Sequence, residues 1–282
     1  MKPKPYSVEC GAFAELSNGR VFYQWHGDGI GPVLVLVHGL TTPSFVWRDM
    51  LPTLIEAGYH VLTFDHFGRG FSGHPKQPQT YAFFTKELTE LLDHLKVLDP
   101  IHLLGYSMGG GIVADFAAKH PARIDHLIML APAGFRAELG GFFDWAARAP
   151  ILGDLIMSII GGYLFRKGAQ ATEQSENVDP QMVAMQCQET RQFGFAAAVL
   201  SSIRHVTSKN LHSVHTQIAE QNTPSLAIFA TDDTVIPISG ADGLATANPS
   251  TNIVRIPDAG HCLAYTHVDQ VNAAILDFLS DT

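Results

Sequence analysis

Residues Gly105–Gly110 read GYSMGG, a small polar serine between two large side chains with glycines on either side. Gly105 and Gly109 flank Ser107 at two positions each, which suits a sharp turn whose backbone passes too close for a Cβ. IHLLGY before it reads as a strand, and MGGGIVADFAAKHP after it as a helix ended by proline. A serine lifted above a sheet edge in this way is a candidate nucleophile. The N–H of Met108, in the first turn of that helix, would point to where an oxyanion forms.

A serine alone is weakly nucleophilic; it needs a base, and the base needs an acid to orient it. ATDDTVIP puts Asp232 and Asp233 just beyond a strand, and DAGHCL puts His261 just beyond the next. Strand C-termini of a parallel sheet share one edge, so these groups can converge there. The chain has fourteen histidines, and the others read as surface or packing residues. His261 differs in following Gly260 in a strand-end loop. His212 and His215 could meet on a helix, but no carboxylate or cysteine completes a ligand set, so no metal is expected. Cys262 shows no sign of the depressed pKa a catalytic thiol needs.

The elements that must position these residues are legible in outline. GAFAELSNGRVFYQW (Gly11–Trp25) contains two strand-like runs around SNG, a hairpin signal. PVLVLVHG, YHVLTFD, IHLLGYS and IDHLIMLAP then read as buried strands, alternating with helix-like stretches at Ser44–Gly58, near Tyr81–Lys96 and at Met108–Pro121. Such βαβ units imply a mostly parallel sheet covered by helices. The rhythm breaks from about Phe135 to Ser208, which is helix-like throughout. Strands return at Thr223–Asp233 and Thr251–His261, and His267–Ser280 closes as an amphipathic helix. The expected organisation is a core from 1–134 and 209–282 with a helical cap, 135–208, inserted.

Composition narrows the partners. Of 282 residues, 46% are hydrophobic and 16% charged, enough for a large core and too apolar for disorder. Lys and Arg total 18 against 27 Asp and Glu, a net −9 that disfavours nucleic acid and anionic membranes. Cys10, Cys187 and Cys262 are widely spaced and form no disulfide or zinc pattern. MKPKPYSVEC has no apolar run behind its lysines, so no signal peptide is read and a cytoplasmic setting is expected. Gly140–Phe165 is apolar, but Asp144, Arg148, Pro150 and Asp154 keep its runs short of the ~18 residues that suggest a membrane span.

Four motifs, in order and spacing, resemble the α/β-hydrolases: HG at His38–Gly39, DHFGRGFS at Asp65–Ser72, GYSMGG at Gly105–Gly110, and DDTVIP…GH from Asp232 to His261. The resemblance covers nearly the whole chain outside the cap. It implies an α/β fold with a mostly parallel eight-stranded sheet, an N-terminal antiparallel hairpin and a helical cap. It also implies roles: Ser107 as nucleophile, His261 as base, and Asp233 as acid, since the family's acid stands four residues before a proline, here Pro237. The residue after HG, Leu40, would join Met108 in offering a backbone N–H to the oxyanion. Asp65, Arg69 and Ser72 would fix the loop, and His38 would brace it.

The elbow serine sets the chain apart from haloalkane dehalogenases and epoxide hydrolases, which carry aspartate there. Carbon–carbon bond hydrolases of ring-cleavage products carry tryptophan after the histidine and a glycine-rich loop after HG; here stand Cys262 and LTTPS. Apolar cap residues from Phe142 to Phe165 suit an apolar chain, though much of that content must pack the cap itself. The expectation is a cofactor-free serine hydrolase of small to medium apolar carboxylic esters. The alternatives are a carbon–carbon hydrolase and a non-catalytic ligand-binding member of the fold.

Overall fold

The computed structural model describes residues 3–135 and 140–280. Its strands are Ala12–Leu16 (β1), Gly19–His26 (β2), Val33–Val37 (β3), His60–Phe64 (β4), Ile101–Tyr106 (β5), Ile124–Leu130 (β6), Ser225–Ala230 (β7) and Asn252–Ile256 (β8). They form one sheet in the order β1-β2-β4-β3-β5-β6-β7-β8. The first two pairings, β1 with β2 and β2 with β4, are antiparallel; all others are parallel. The hairpin turn at Ser17–Asn18 sits where SNG predicts it, closed by the Leu16–Gly19 pair.

The apolar runs behave as doubly covered strands must. In β3, Val35 and Val37 face one buried layer and Leu34 and Leu36 the other. The first layer is completed by helices Tyr81–His94 (α2) and Met108–Lys119 (α3); the second includes Leu51–Glu56 (α1). Ser44–Gly58, expected as a helix-like stretch interrupted by Pro52, is divided elsewhere. A 3₁₀ turn spans Ser44–Trp47, and α1 starts only at Leu51 with Pro52 in its first turn. Proline has no N–H to donate and clashes with the carbonyl four residues back, so the helix begins at it rather than running through it.

Between β6 and β7 the described residues hold helices only: Gly141–Arg148 (α4), Pro150–Ser175 (α5), Pro180–Glu189 (α6) and Phe195–Ser202 (α7), then a π-helical turn at Ile203–Thr207 and helix His212–Glu220 (α8). Residues 136–139, at the start of the expected cap, lie outside the described residues. Pro150 opens α5 and divides the apolar Gly140–Phe165 stretch. No helix among the described residues is long and apolar enough to cross a membrane. Ser239–Ala247 (α9), Leu263–Thr266 (α10) and Val268–Ser280 (α11) complete the chain.

Candidate active site

Ser107 joins β5 to α3 with φ +55° and ψ −117°, a conformation rare for any residue but glycine. The turn is held on both sides. Its N–H donates to Leu130 O at 2.8 Å, and its carbonyl accepts from Gly110 N at 3.0 Å and Ala133 N at 2.9 Å. The flanking glycines are steric necessities. A Cβ at Gly105 would lie 2.7 Å from Val113 Cγ2, and one at Gly109 would lie 2.6 Å from His38 O.

Three of the residues singled out in the sequence meet at the sheet edge. Ser107 Oγ is 2.9 Å from His261 Nε2, and His261 Nδ1 is 2.7 Å from Asp233 Oδ2. The carboxylate can only accept, so Nδ1 carries the proton and Nε2 is left to accept from the serine hydroxyl. Asp233 is buried, and its Oδ1 accepts from Val235 N at 2.8 Å and Ile236 N at 2.7 Å. Asp232 points elsewhere and is exposed. The Tyr106 hydroxyl donates to His261 O at 2.7 Å, and the two rings stack at 5.4 Å.

The loop after β3 is braced from below. His38 Nδ1 donates to Gly39 O at 2.8 Å, and its Nε2 accepts from His66 N at 2.9 Å. Arg69, fully buried, donates through Nε to Leu40 O at 3.0 Å and through Nη2 to Ser202 Oγ at 2.9 Å; Nη1 reaches Gln79 Oε1 and Phe67 O. Burial pushes its guanidinium down to about 10, still charged at neutral pH, with Glu87 and Glu189 acting against that shift. Asp65 accepts from Ser44 N, Ser44 Oγ, Phe71 N and Tyr6 Oη, and Ser72 Oγ donates to Asp65 O. Asp65, Arg69 and Ser72 therefore tie loops together, and none of them lines the cavity above Ser107.

That cavity holds about 240 Å³. Leu40, Ser107 and His261 form its floor, and Phe143, Leu164 and Phe165 its apolar roof. Other apolar residues of 142–165 do not reach it: Ile151, Leu152, Leu155 and Ile159 are exposed, and Met157 packs on Ala146 and Leu200. A long helix laid over a core has only one face to turn inward.

Glu176 is the participant that sequence reasoning missed. It follows α5, lines the cavity, and accepts from Cys262 N at 2.8 Å, next to His261. No local motif marks it; a glutamate at the polar end of a helix reads as a solvated group. Cys262 itself is buried, and burial followed by the nearby Glu176 charge pushes its thiol up, so it is not poised as a nucleophile. His215 is buried against the Phe135 ring while His212 is exposed, so the two do not form a shared site.

Comparison with known proteins follows the same lines. A family model for the alpha/beta hydrolase fold matches residues 32–268. A Pseudomonas putida protein named as the dihydrolipoyllysine-residue acetyltransferase component of an acetoin cleaving system is 29% identical, over 98% of this chain and 70% of that one. The structure of a hydrolase from Pseudomonas aeruginosa superposes with a TM-score of 0.80 at 25% identity, covering 97% of this chain and 99% of that one. A carboxylesterase from Bacillus subtilis shares the fold, with a TM-score of 0.81 at 18% identity over 96% of this chain and 92% of that one.

Proposed function

Because the chain belongs to the alpha/beta hydrolase fold family, we propose that it is a serine hydrolase that cleaves small to medium apolar carboxylic esters through an acyl-enzyme. The observation that carries this reading is the unbroken line from Ser107 Oγ through His261 to buried Asp233. His261 takes the serine proton as Oγ attacks the ester carbonyl, and Asp233 stabilises the imidazolium. The N–H groups of Leu40 and Met108 receive the oxyanion. His261 returns the proton to the leaving alcohol. Water, activated by the same imidazole, then releases the acid. The scheme draws only on the chain's own groups and water.

The division into a core of 1–134 and 209–282 and a cap of 135–208 belongs to this reading. The cap supplies Phe143, Leu164 and Phe165 to the roof, and the apolar roof favours an apolar acyl or alcohol chain over a charged one. Each methylene that enters the roofed cavity adds about 0.8 kcal/mol until space runs out.

Turnover of p-nitrophenyl esters of increasing chain length tests the reading. Efficiency should rise and then fall along the series. Ser107→Ala should remove hydrolysis by on the order of 10⁴–10⁶-fold while leaving the fold intact. Retention of more than about a tenth of the activity in that variant would exclude Ser107 as the nucleophile, because a working triad cannot spare it. Cleavage of a vinylogous diketone with no ester turnover would instead favour a carbon–carbon hydrolase.

A further inference from the structure

At the end of the sheet away from Ser107, β5 and β6 are out of step. Ile101 pairs with Ile124, but His102 pairs with His126, so the ladder slips by one residue between them. The extra residue is Asp125. Bulges are rare in parallel ladders, and where they occur they re-aim a side chain. Strict alternation would turn Asp125 to the face opposite His126. Instead, Asp125 Oδ2 lies 3.4 Å from His102 Nδ1 and 3.4 Å from His126 Nδ1.

Those spacings are too long for good hydrogen bonds, which run at about 2.7–3.2 Å. Among the described residues, no hydrogen bond reaches His102 Nδ1, although that residue is only 6% exposed. The two spacings to Asp125 Oδ2 match those between ligands in an ion's coordination sphere. Donors about 2.0–2.1 Å from a tetrahedral zinc ion are separated by about 3.3–3.4 Å. One ligand atom from each of His102, Asp125 and His126 lies within 4.8 Å of the others.

We propose that His102, Asp125 and His126 bind a divalent transition-metal ion of the zinc type, with two imidazoles, one carboxylate and a water at the fourth position. The exposed flank of Asp125 gives the ion and its water access from solvent. The expectation of no metal, drawn from His212 and His215, is replaced by a set that only the bulge assembles. The site is independent of ester hydrolysis. His102 and Ser107 are separated by the length of β5, about 16 Å at ~3.3 Å per residue. An ion here clamps the starts of β5 and β6. Through His126, whose ring meets Phe278 edge-on at 5.2 Å, it also steadies the closing helix α11.

The test uses full-length, untagged protein stripped of metal with a chelator. Zn²⁺ is titrated calorimetrically and the thermal midpoint is followed; Co²⁺ provides an absorption spectrum that reports the ligand field. One Zn²⁺ per chain should bind and raise the midpoint, as any ligand selective for the folded state does. Asp125→Ala, at a half-exposed position, and His102→Gln should each weaken binding at least tenfold, a scale that even outer-sphere substitutions reach. Ester turnover should be the same with and without the ion. Absence of stoichiometric binding, or equal affinity in the native and Asp125→Ala proteins, overturns the site. Loss of ester turnover on stripping also overturns it, since that places the ion at the Ser107 end.

Discussion

Helix α3, which starts directly after Ser107, and helix α5, which lines the cavity through Leu164, Phe165, Gly168, Ala169 and Thr172, are built on opposite terms. α3 buries eleven of its twelve residues. α5, with twenty-six residues, buries only Gly153, Met157 and Gly161. The helix that follows Ser107, the proposed nucleophile, is thus closely packed and tolerates almost no change in volume. The segment that includes α5 is joined to the core by Arg69 to Ser202 of α7, Gly70 N to Glu189 of α6 at 2.8 Å, Cys262 N to Glu176 just past α5, and Arg48 to Asp179 ahead of α6 at 2.6 Å, beside one small apolar cluster of Phe45, Val178, Met182, Val183 and Cys262. Tight packing holds reacting atoms to a fixed geometry, and sparse ties leave the roof free to adapt to what enters.

The contrast can be broken first at the reacting residues. Asp233→Asn should lower kcat by about 10⁴-fold, as loss of the orienting carboxylate does in related triads, while Asp232→Asn changes it only a few-fold. Steady-state kinetics on both variants, with circular dichroism to confirm folding, checks this. Equal losses would mean that His261 does not depend on Asp233 alone.

Glycine-to-alanine changes sharpen the contrast. A Cβ at Gly109 drives into the carbonyls of Val37 and His38, so Gly109→Ala should destabilise by about 1–3 kcal/mol or more. At Gly168 of α5 a Cβ meets nothing within 4 Å. Gly168→Ala should therefore stabilise by roughly 0.5–1 kcal/mol through helix propensity. Urea denaturation of the two variants gives both values. Destabilisation by Gly168→Ala would show α5 to be as tightly held as α3.

A smaller effect tests the ties by pH. Burial pushes the Glu189 carboxyl up to about 7, with the Gly70 N–H and Arg69 pulling it down. In the unfolded chain it titrates near the ordinary value of about 4.3. Between those values the folded state keeps a proton that the unfolded state has released. The stability this group contributes is full below the unfolded pKa and is lost as pH rises through 7. The thermal midpoint of the native protein, measured relative to Glu189→Gln, should therefore fall as pH goes from about 4.5 to 7. A difference independent of pH would mean that the carboxyl is ionised throughout.

The smallest effect is expected on the outer face of α5. Ile159 is 74% exposed, so Ile159→Gln should shift stability by no more than about 0.5 kcal/mol in the same urea experiment.

What the sequence disclosed and what it withheld divide along physical lines. Ser107 and His261 each sit in a short run whose glycines and strand-end position mark them out, so local reading finds them; local reading leaves Asp232 and Asp233 equivalent, and the choice of Asp233 comes from the resemblance to the α/β-hydrolases. The mostly parallel sheet and its hairpin follow from the apolar runs and from SNG, whereas the strand order is seen only in the structure. Contacts between distant segments leave no such trace. Glu176 meets Cys262 across 86 positions, and Ser202 meets Arg69 across 133. The convergence of Asp125 with His102 and His126 depends on a one-residue slip in strand pairing that no periodicity reveals. Pro52 was visible, but only the three-dimensional path shows that it starts a helix rather than interrupting one.

The sheet order has a consequence for inactivation. Ser107 leaves a central strand, whereas Asp233 and His261 follow β7 and β8, and β8 is an edge strand, with only Ile256 of its five residues buried. Fraying of that border would carry His261, the proposed base, away from Ser107 while the middle of the sheet stays paired. On heating, catalysis is then lost before ellipticity, and the enzyme's working lifetime is set by its weakest margin rather than by its melting point.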